Sequence, residues 1–365
     1  MSEGGAVRAT EGRAAAVPGV SPVPTAAVDG ASEGNRARVL RAWAELLRLP
    51  ALFTVPGDAL AGAAALTARP DRRTLFAVGS SLCLYEAGMV LNDWADRADD
   101  AAERPHRPLP SGRVRPAAAF TAACAFTAAG LALAGRGGRP ALTVAAPLAA
   151  TVWSYDLFLK HTPAGPFAMA AARGLDLLLG AAATAGRARP ALPSAALLAT
   201  HTLAVTTLSR QETRQGTPTA ALAALATTGA LSWLVQRRPS PGLSPHRRSP
   251  DGPLHGHRGQ PGRGSTHRSP APLTAALAVA YAITTARPYL HASLNPSPAL
   301  TQQAVGAGIR ATIPLQAALI ARSGATATTT ATATTTATAT ATATALLTAA
   351  LAPVARIFAK RVSIT

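Results

Sequence analysis

From about residue 39 onward the chain alternates long apolar stretches with short polar loops. The stretches fall at 48–67, 74–92, 117–134, 140–156, 166–185, 191–209, 219–236, 272–289, 302–321 and 341–358. Each is about 16–22 residues long, and a helix needs roughly 20 to cross the hydrocarbon of a bilayer. In lipid every backbone N–H and C=O must be satisfied internally, and at these lengths only helices achieve that. The pattern therefore predicts an all-α, polytopic membrane protein with eight to ten crossings. The stretches are rich in Ala and Gly, which lets helices approach closely and points to a compact bundle around a cavity.

Composition agrees. Charged residues are only 14% of the chain, where a soluble domain carries about 25%. Mean hydropathy is +0.19 although Gly and Pro each occur 30 times. Residues 1–37 are rich in Gly, Ala, Pro, Ser and Glu and read as a disordered tail without a targeting segment. The membrane domain is then 38–365, interrupted twice. An Arg-, His- and Pro-rich stretch at 237–271 reads as a flexible loop. An Ala/Thr alternation at 323–345 reads as a variable loop or a weak helix start.

The net charge of +18 does not indicate a nucleic-acid partner. The basic residues are nearly all Arg, Lys160 and Lys360 being the only lysines, and they lie between apolar stretches and in tails. No helix carries a continuous basic stripe. The Ala, Arg, Pro and Gly excess suggests a GC-rich bacterial genome, hence a bacterial inner membrane. Cys83 and Cys124 lie inside apolar stretches and form neither a metal spacing nor a disulfide framework. The basic loop 93–116 assigns itself to the cytoplasm, and alternation puts 157–165 and 210–218 on the same side. The Arg-rich 237–271 then falls outside, against the positive-inside rule, unless the stretch near 219–236 is re-entrant.

The chemistry is concentrated at NDWADRADDAAERPHRPLPSGR, residues 92–113. Asn92, Asp96 and Asp100 are spaced i, i+4, i+8, so a helix carries them on nearly one face with Asp93 beside them. Clustered carboxylates at membrane depth must be neutralised, and Mg²⁺ is the usual partner of carboxylate oxygens and substrate phosphates. Arg104, Arg107 and Arg113 follow within the same loop, and guanidinium groups suit phosphate oxygens. Acids and arginines together describe a site for Mg²⁺-diphosphate, or a solvated loop whose charges pair with one another. Elsewhere, Asp156 stands four residues before Lys160 and could pair with it. Arg173 and Asp176 lie one turn apart as an internal salt bridge or as cavity groups. Asp58, after Pro56-Gly57, lines a cavity or caps a broken helix. Arg310, within a late helix, shares the ambiguity of Arg173 and Asp176, and His106 and His161 carry no assignment.

The NDxxDxxxD pattern of Asn92, Asp93, Asp96 and Asp100, followed by RPHRPLPSG at 104–112, resembles the first signature of the UbiA family of intramembrane prenyltransferases. YDLFLKHTPAGP (Tyr155–Pro166) resembles that family's Tyr…Lys segment, and RGLDLLLG (Arg173–Gly180) its following helix in the Ebo-type branch. LLRLPALFTVPGDALAG (46–62), IPLQAAL and RVSIT are similar as well. The resemblance implies about nine transmembrane helices around a central cavity open to lipid. It implies Mg²⁺-dependent transfer of a prenyl group from an isoprenoid diphosphate to a lipophilic, membrane-soluble acceptor. It implies catalytic Asn92, Asp96 and Asp100, with Arg104, Arg107, Lys160, Tyr155 and Arg210 on the diphosphate. The metal ligands would be Asn92, Asp93, Asp96, Asp100 and Glu212. The family's second motif, DxxxD, is here LSRQETRQG (208–216), where Glu212 between Arg210 and Arg214 is the one acid. That departure leaves room for an alternative: a non-catalytic lipid-binding or metabolite-export component. A plain transporter would show internal repeats with broken helices, and none is evident.

The charge distribution makes a topological prediction. With Cys83 and Cys124 replaced, Ser111→Cys should resist membrane-impermeant thiol reagents in intact cells and react after permeabilisation. Labelling in intact cells would place the 93–116 loop outside.

Overall fold

A computed structural model describes residues 25–212, 217–237, 272–327, 339–351 and 353. The chain divides into two units, Met1–Arg41 and Ala42–Thr365. The described residues contain twelve α-helices and no strand: α1 (Thr25–Leu46), α2 (Pro56–Ala65), α3 (Arg72–Ala95), α4 (Arg97–Glu103), α5 (Pro116–Gly137), α6 (Arg139–Ser154), α7 (Gly165–Ala185), α8 (Leu192–Ser209), α9 (Pro218–Gln236), α10 (Pro272–Leu294), α11 (Pro298–Ala327) and α12 (Ala339–Leu351). Every apolar stretch expected from the sequence contains or overlaps one of them.

Among the described residues seven helical segments, fewer than the eight to ten crossings expected, are long and apolar enough to cross a membrane: Arg72–Ala95, Pro116–Gly137, Arg139–Leu159, Gly165–Ala185, Arg189–Ser209, Pro218–Gln236 and Pro298–Ser323. Leu52–Ala65 and Ala339–Leu351 are shorter apolar helices. The stretch at 219–236 is one uninterrupted helix, not a re-entrant segment. Large apolar side chains stand exposed on the outside of the bundle, among them Phe158 at 72%, Ile283 at 69%, Phe167 at 64% and Trp233 at 51%. Water would penalise such a surface, whereas lipid does not.

Two expectations meet the fold only in part. The tail expected over 1–37 overlaps α1, which begins at Thr25, and residues 1–24 lie outside those described. The Ala/Thr tract over 323–345 contributes the end of α11 and the start of α12, with 328–338 outside the described residues. Of the loop at 237–271 only Arg237 is described, and Arg214 also falls outside.

Local signals explain where the helices begin and turn. Asp71 caps α3 by accepting from the Arg73 and Thr74 amides at 2.9 and 3.0 Å, and the Thr74 hydroxyl accepts from the Asp71 amide at 2.9 Å. This reciprocal box satisfies amides that a helix start leaves open and contributes about 1 kcal/mol. Pro116, Pro140, Pro166 and Pro218 stand in first turns, where no helix bond is lost. A turn of π-helix at Tyr155–Leu159 extends α6, with the Lys160 amide reaching back to the Tyr155 carbonyl at 2.9 Å. Insertions of this kind re-aim side chains and recur at functional sites.

Two crossings set the interior. Gly62 of α2 faces the Leu177 carbonyl of α7, and Gly180 of α7 faces the Ala59 backbone, each so closely that a Cβ would collide with main chain. The two glycines bring α2 and α7 into backbone contact, which is how small residues drive association where no hydrophobic effect operates. Gly130 of α5 makes room for the Leu84 side chain of α3, with the Ser80 carbonyl beyond it. One layer of the core, Ala59, Leu84, Leu148, Leu179 and Ala183, sits between these contacts. Gly180→Ala should lower the thermal stability of the detergent-solubilised protein by about 1–3 kcal/mol, the range for overpacking. Gly229→Ala in α9, where a Cβ meets open space, should be neutral or slightly stabilising. Equal effects of the two substitutions would remove the crossing from its role.

Candidate functional site

The loops after α3, after α6 and after α8 meet at one end of the bundle. Arg210 donates to the Thr162 carbonyl, Lys160 pairs with Asp96, and the charge of Arg104 acts on Glu212. This is the juxtaposition that alternation of the loops requires.

α3 ends at Ala95 and α4 begins at Arg97, with Asp96 as the joint at φ −84° and ψ 2°. The helical spacing survives the joint. The Asp96 amide bonds the Asn92 carbonyl at 3.0 Å, the Asp100 amide bonds Asp96 at 2.8 Å, and Arg104 bonds Asp100 at 2.8 Å. Asn92, Asp96, Asp100 and Arg104 are thus stacked one turn apart, although not on a single straight helix.

Their side chains take different partners. Asp93, 6% exposed, lies 2.6 Å from Arg48 and 3.5 Å from Arg107. Arg107 is also 2.7 Å from Asp100, and Arg104 stands 3.6 Å from the other Asp100 oxygen. Asp96 pairs with Lys160 and has His161 at 3.8 Å. The Asn92 amide donates to buried Asp156 at 3.1 Å. Asp156 and Lys160, four apart, thus take other first partners. Arg113 goes elsewhere: it holds Glu45 through two bonds of 2.7 and 3.1 Å, which raise its pKa further. Asp96, Asp99 and His161 also converge, with one ligand atom from each within 4.8 Å of the others.

Beneath this lattice lies a cavity of ≈ 500 Å³. Arg48, Asn92, Tyr155, Asp156 and Glu212 line its mouth, and its walls are apolar, with Leu84, Met89, Leu148, Val152, Val205 and Ile309 among them. Asn92, Tyr155 and Glu212 are therefore the expected site residues that face the cavity. Asp93, Asp96, Asp100, Arg104, Arg107 and Lys160 belong to the adjoining ion-pair lattice, and Arg210 is exposed beside it. Glu212 is half-buried, and burial pushes its carboxyl above the ordinary glutamate range, partly offset by Arg104.

Sequence reasoning passed over Arg48. It stands in left-handed backbone conformation, φ 45° and ψ 47°, just ahead of a 3₁₀ turn over Leu49–Thr54. A non-glycine residue there costs about 1–2 kcal/mol and persists where surrounding contacts demand it. Here the guanidinium is held on Asp93. The available signal was its place in LLRLP, within the stretch similar to the family, but the acid nearest to it in sequence is Glu45, which pairs with Arg113.

A second polar cluster sits deeper. Asp58, fully buried, is 2.9 Å from Arg173 Nε and accepts from Gln316 at 2.6 Å. Arg173 and Gln316 both donate to the Thr54 carbonyl, at 3.0 and 2.7 Å. Asp176 accepts from Ser81. So Arg173 bonds α2, not Asp176 on its own helix.

The model of the UbiA prenyltransferase family matches residues 51–235, about half of the chain. The chain belongs to the UbiA prenyltransferase family. It is 35% identical over 129 residues to the digeranylgeranylglyceryl phosphate synthase of Methanopyrus kandleri, covering 34% of this chain and 46% of that one. It is 51% identical over 51 residues to the polyprenyl transferase subC of Metarhizium robertsii, covering 13% and 47%. The alignments thus span about half the length of these relatives. Among solved structures, a UbiA homolog from Aeropyrum pernix K1 matches with a TM-score of 0.55 at 17% identity, covering 74% of this chain and 96% of that one. A digeranylgeranylglyceryl phosphate synthase structure matches at 0.53 and 15% identity, covering 78% and 98%. These likenesses establish the helical fold.

The lattice itself can be tested. Arg107→Gln leaves Asp100 with Arg104 alone and should destabilise the ligand-free protein by about 1–3 kcal/mol, the cost of an unmatched buried polar group. Adding Asp100→Asn should recover part of that loss in detergent melts, because the two residues act as a pair. Simple additivity would mean that the 2.7 Å contact carries no energy.

Proposed function

We propose that the protein transfers a prenyl group from an isoprenoid diphosphate to a lipophilic acceptor within the cell membrane, a bacterial inner membrane by composition. One observation carries this reading: an acid and guanidinium lattice at the mouth of an apolar cavity, in a bundle of the UbiA family. Asn92, Asp96 and Asp100 are the catalytic residues in this reading. Asn92, Asp93, Asp96, Asp100 and Glu212 would hold Mg²⁺, and Arg104, Arg107, Lys160, Tyr155 and Arg210 the diphosphate.

The residues fit a divalent cation. Asp93, Asp96 and Asp100 are each already paired with a cation among Arg48, Arg104, Arg107 and Lys160, so the charges of the acid stack are matched as it stands. A diphosphate adds several negative charges, and balance then requires further cations. Hard carboxylate oxygens stacked a turn apart are the donors that Mg²⁺ prefers. When bound, the metal stabilises charge developing on the leaving diphosphate. The protein's own part is binding, orientation and exclusion of water. Arg104, Arg107 and Lys160 exchange acid partners for phosphate oxygens, most strongly where charge grows as the C–O bond breaks. The apolar walls keep water from the allylic cation. The cavity holds donor and acceptor side by side, which is a proximity effect.

The second reading, a non-catalytic lipid-binding or export component, draws on the single acid of the 208–216 segment. Pyrophosphate release separates the two. The purified protein with Mg²⁺ and a prenyl diphosphate should release pyrophosphate in the presence of lipophilic acceptors, and Asp96→Asn should lower turnover by orders of magnitude. Binding without release under any acceptor would favour the second reading. Glu212→Gln should weaken Mg²⁺ dependence and flatten the acid limb of the pH profile. The sign follows from burial: the Glu212 proton is held at higher pH than in free glutamate, so its metal-binding form is lost early as pH falls. An unchanged acid limb in Glu212→Gln would take Glu212 out of the metal site.

A further inference from the structure

The cavity has a polar floor that prenyl transfer to a diphosphate site does not use. Thr54, Ser81, Arg173, Asp176, His201 and Thr312 all line it. On α3, Ser81 lies eleven residues before Asn92, which is about 16 Å along a helix. The same offset in sequence separates Asp176 from Gly165 on α7, and His201 on α8 from Glu212 just beyond its end. The floor therefore lies near the middle of a hydrocarbon layer about 30 Å thick. Ionisable groups at that depth are expensive and mark ligand paths unless structure alone explains them.

Structure explains part of the cluster. Asp58, Gln316 and the Thr54 carbonyl tie α2 to α11, and Arg173 Nε ties α7 to α2. His201 is fully engaged as well: one ring nitrogen meets the Tyr281 hydroxyl and the other the Gly308 carbonyl, both at 3.0 Å. What remains faces the cavity. Among the described residues Arg173 Nη1 has no hydrogen-bond partner, its side chain is 16% exposed, and Asp176 and Thr312 line the same cavity. The prenyl chain has no use for donors and acceptors, so the second substrate is the group that needs them.

The charge balance selects its chemistry. Two carboxyl groups, Asp58 and Asp176, stand at this level with one guanidinium, Arg173, which Asp58 already holds at 2.9 Å. No cation is left over for an anionic head, and a carboxylate or phosphate there would be a desolvated charge without a counterion. A hydroxyl is matched instead: it accepts from Arg173 and donates to Asp176.

We propose that this floor recognises a neutral, hydroxyl-bearing group at the end of the acceptor remote from the atom that is prenylated, and discriminates against a carboxylate or phosphate in that place. The assignment of this group to an acceptor rests on the prenyl-transfer reading above; the selectivity does not. The test uses two probes of matched length, 4-octylphenol and 4-octylbenzoate, at pH 8, where the first is neutral and the second ionised. Each is titrated into the full-length protein in detergent, with no Mg²⁺ or donor, and binding is followed by thermal shift and by ligand-detected NMR. The parent should bind the phenol at least about tenfold more tightly. Asp176→Asn removes the negative charge and keeps the shape, so it should raise benzoate affinity about tenfold relative to phenol. Should Asp176→Asn fail to fold, Ser81→Ala, which deprives Asp176 of its donor, should still shift the phenol-to-benzoate ratio. A parent that binds benzoate as well as phenol, or a preference unchanged in the variant that folds, overturns the proposal. Mg²⁺-dependent binding of a non-hydrolysable prenyl diphosphate to the parent is measured alongside. Its absence sinks the prenyl-transfer reading alone, since the phenol preference is read without donor or metal.

Discussion

An ionised carboxylate inside a bilayer has no water to turn to, and its cost is met only by an opposite charge or by donated hydrogen bonds. Asp58 finds Arg173 and Gln316, Asp93 finds Arg48 and Arg107, and Asp156 finds the Asn92 amide. Apart from Arg107, each partner comes from a segment distant in sequence. The pairings therefore act as pins: α2 to α7 and α11 in the interior, the turn after α1 to α3 at the mouth. A helix shifted by one turn would strand a charge, so the acids specify register as well as chemistry.

These pins need backbones that approach closely. Asp58 sits on the turn before Ala59, the residue that Gly180 accommodates, and Gly62 receives Leu177 one helical turn further along. Arg173 and Asp176 stand on the same helix as Gly180. The small residues thus set the spacing at which the Arg173 guanidinium reaches Asp58 at 2.9 Å. Gly57 serves the same end, because a side chain there would displace the Gln316 amide. Packing and electrostatics are one arrangement at this crossing.

Much of this was legible in the sequence. The ten apolar stretches each meet a helix because length and hydropathy are local properties. The acid stack is visible because Asn92, Asp96 and Asp100 repeat at helical spacing within one segment. Pairings across helices are not local. Arg48 is forty-five residues from Asp93, and Gln316 is 258 from Asp58. Nothing in LLRLP or IPLQAAL says which acid each will meet. The i, i+4 rule suggests Asp156 with Lys160, and helical proximity suggests Arg173 with Asp176. Tertiary partners prevail in both cases, because a buried charge takes the best counterion available and not the nearest in sequence.

The mouth shows what this economy implies for ligand binding. Asp93, Asp96 and Asp100 already hold arginine and lysine partners, so a cation entering there competes with guanidinium and ammonium groups. A bare divalent ion would have to displace Arg107 and Lys160 at a loss. A metal arriving with an anion at the proposed site would not, since the anion would receive the displaced cations while the acids take the metal. The lattice thus favours joint over separate binding, and its strength raises that preference, as any ligand shifts an equilibrium only by its differential affinity for the two arrangements. Arg48 is poised for the exchange. Its left-handed backbone is held by the bond to Asp93, and it already lines the cavity. In the proposed site, the ion pairs that stabilise the ligand-free protein would thereby be the same ones that couple metal to diphosphate.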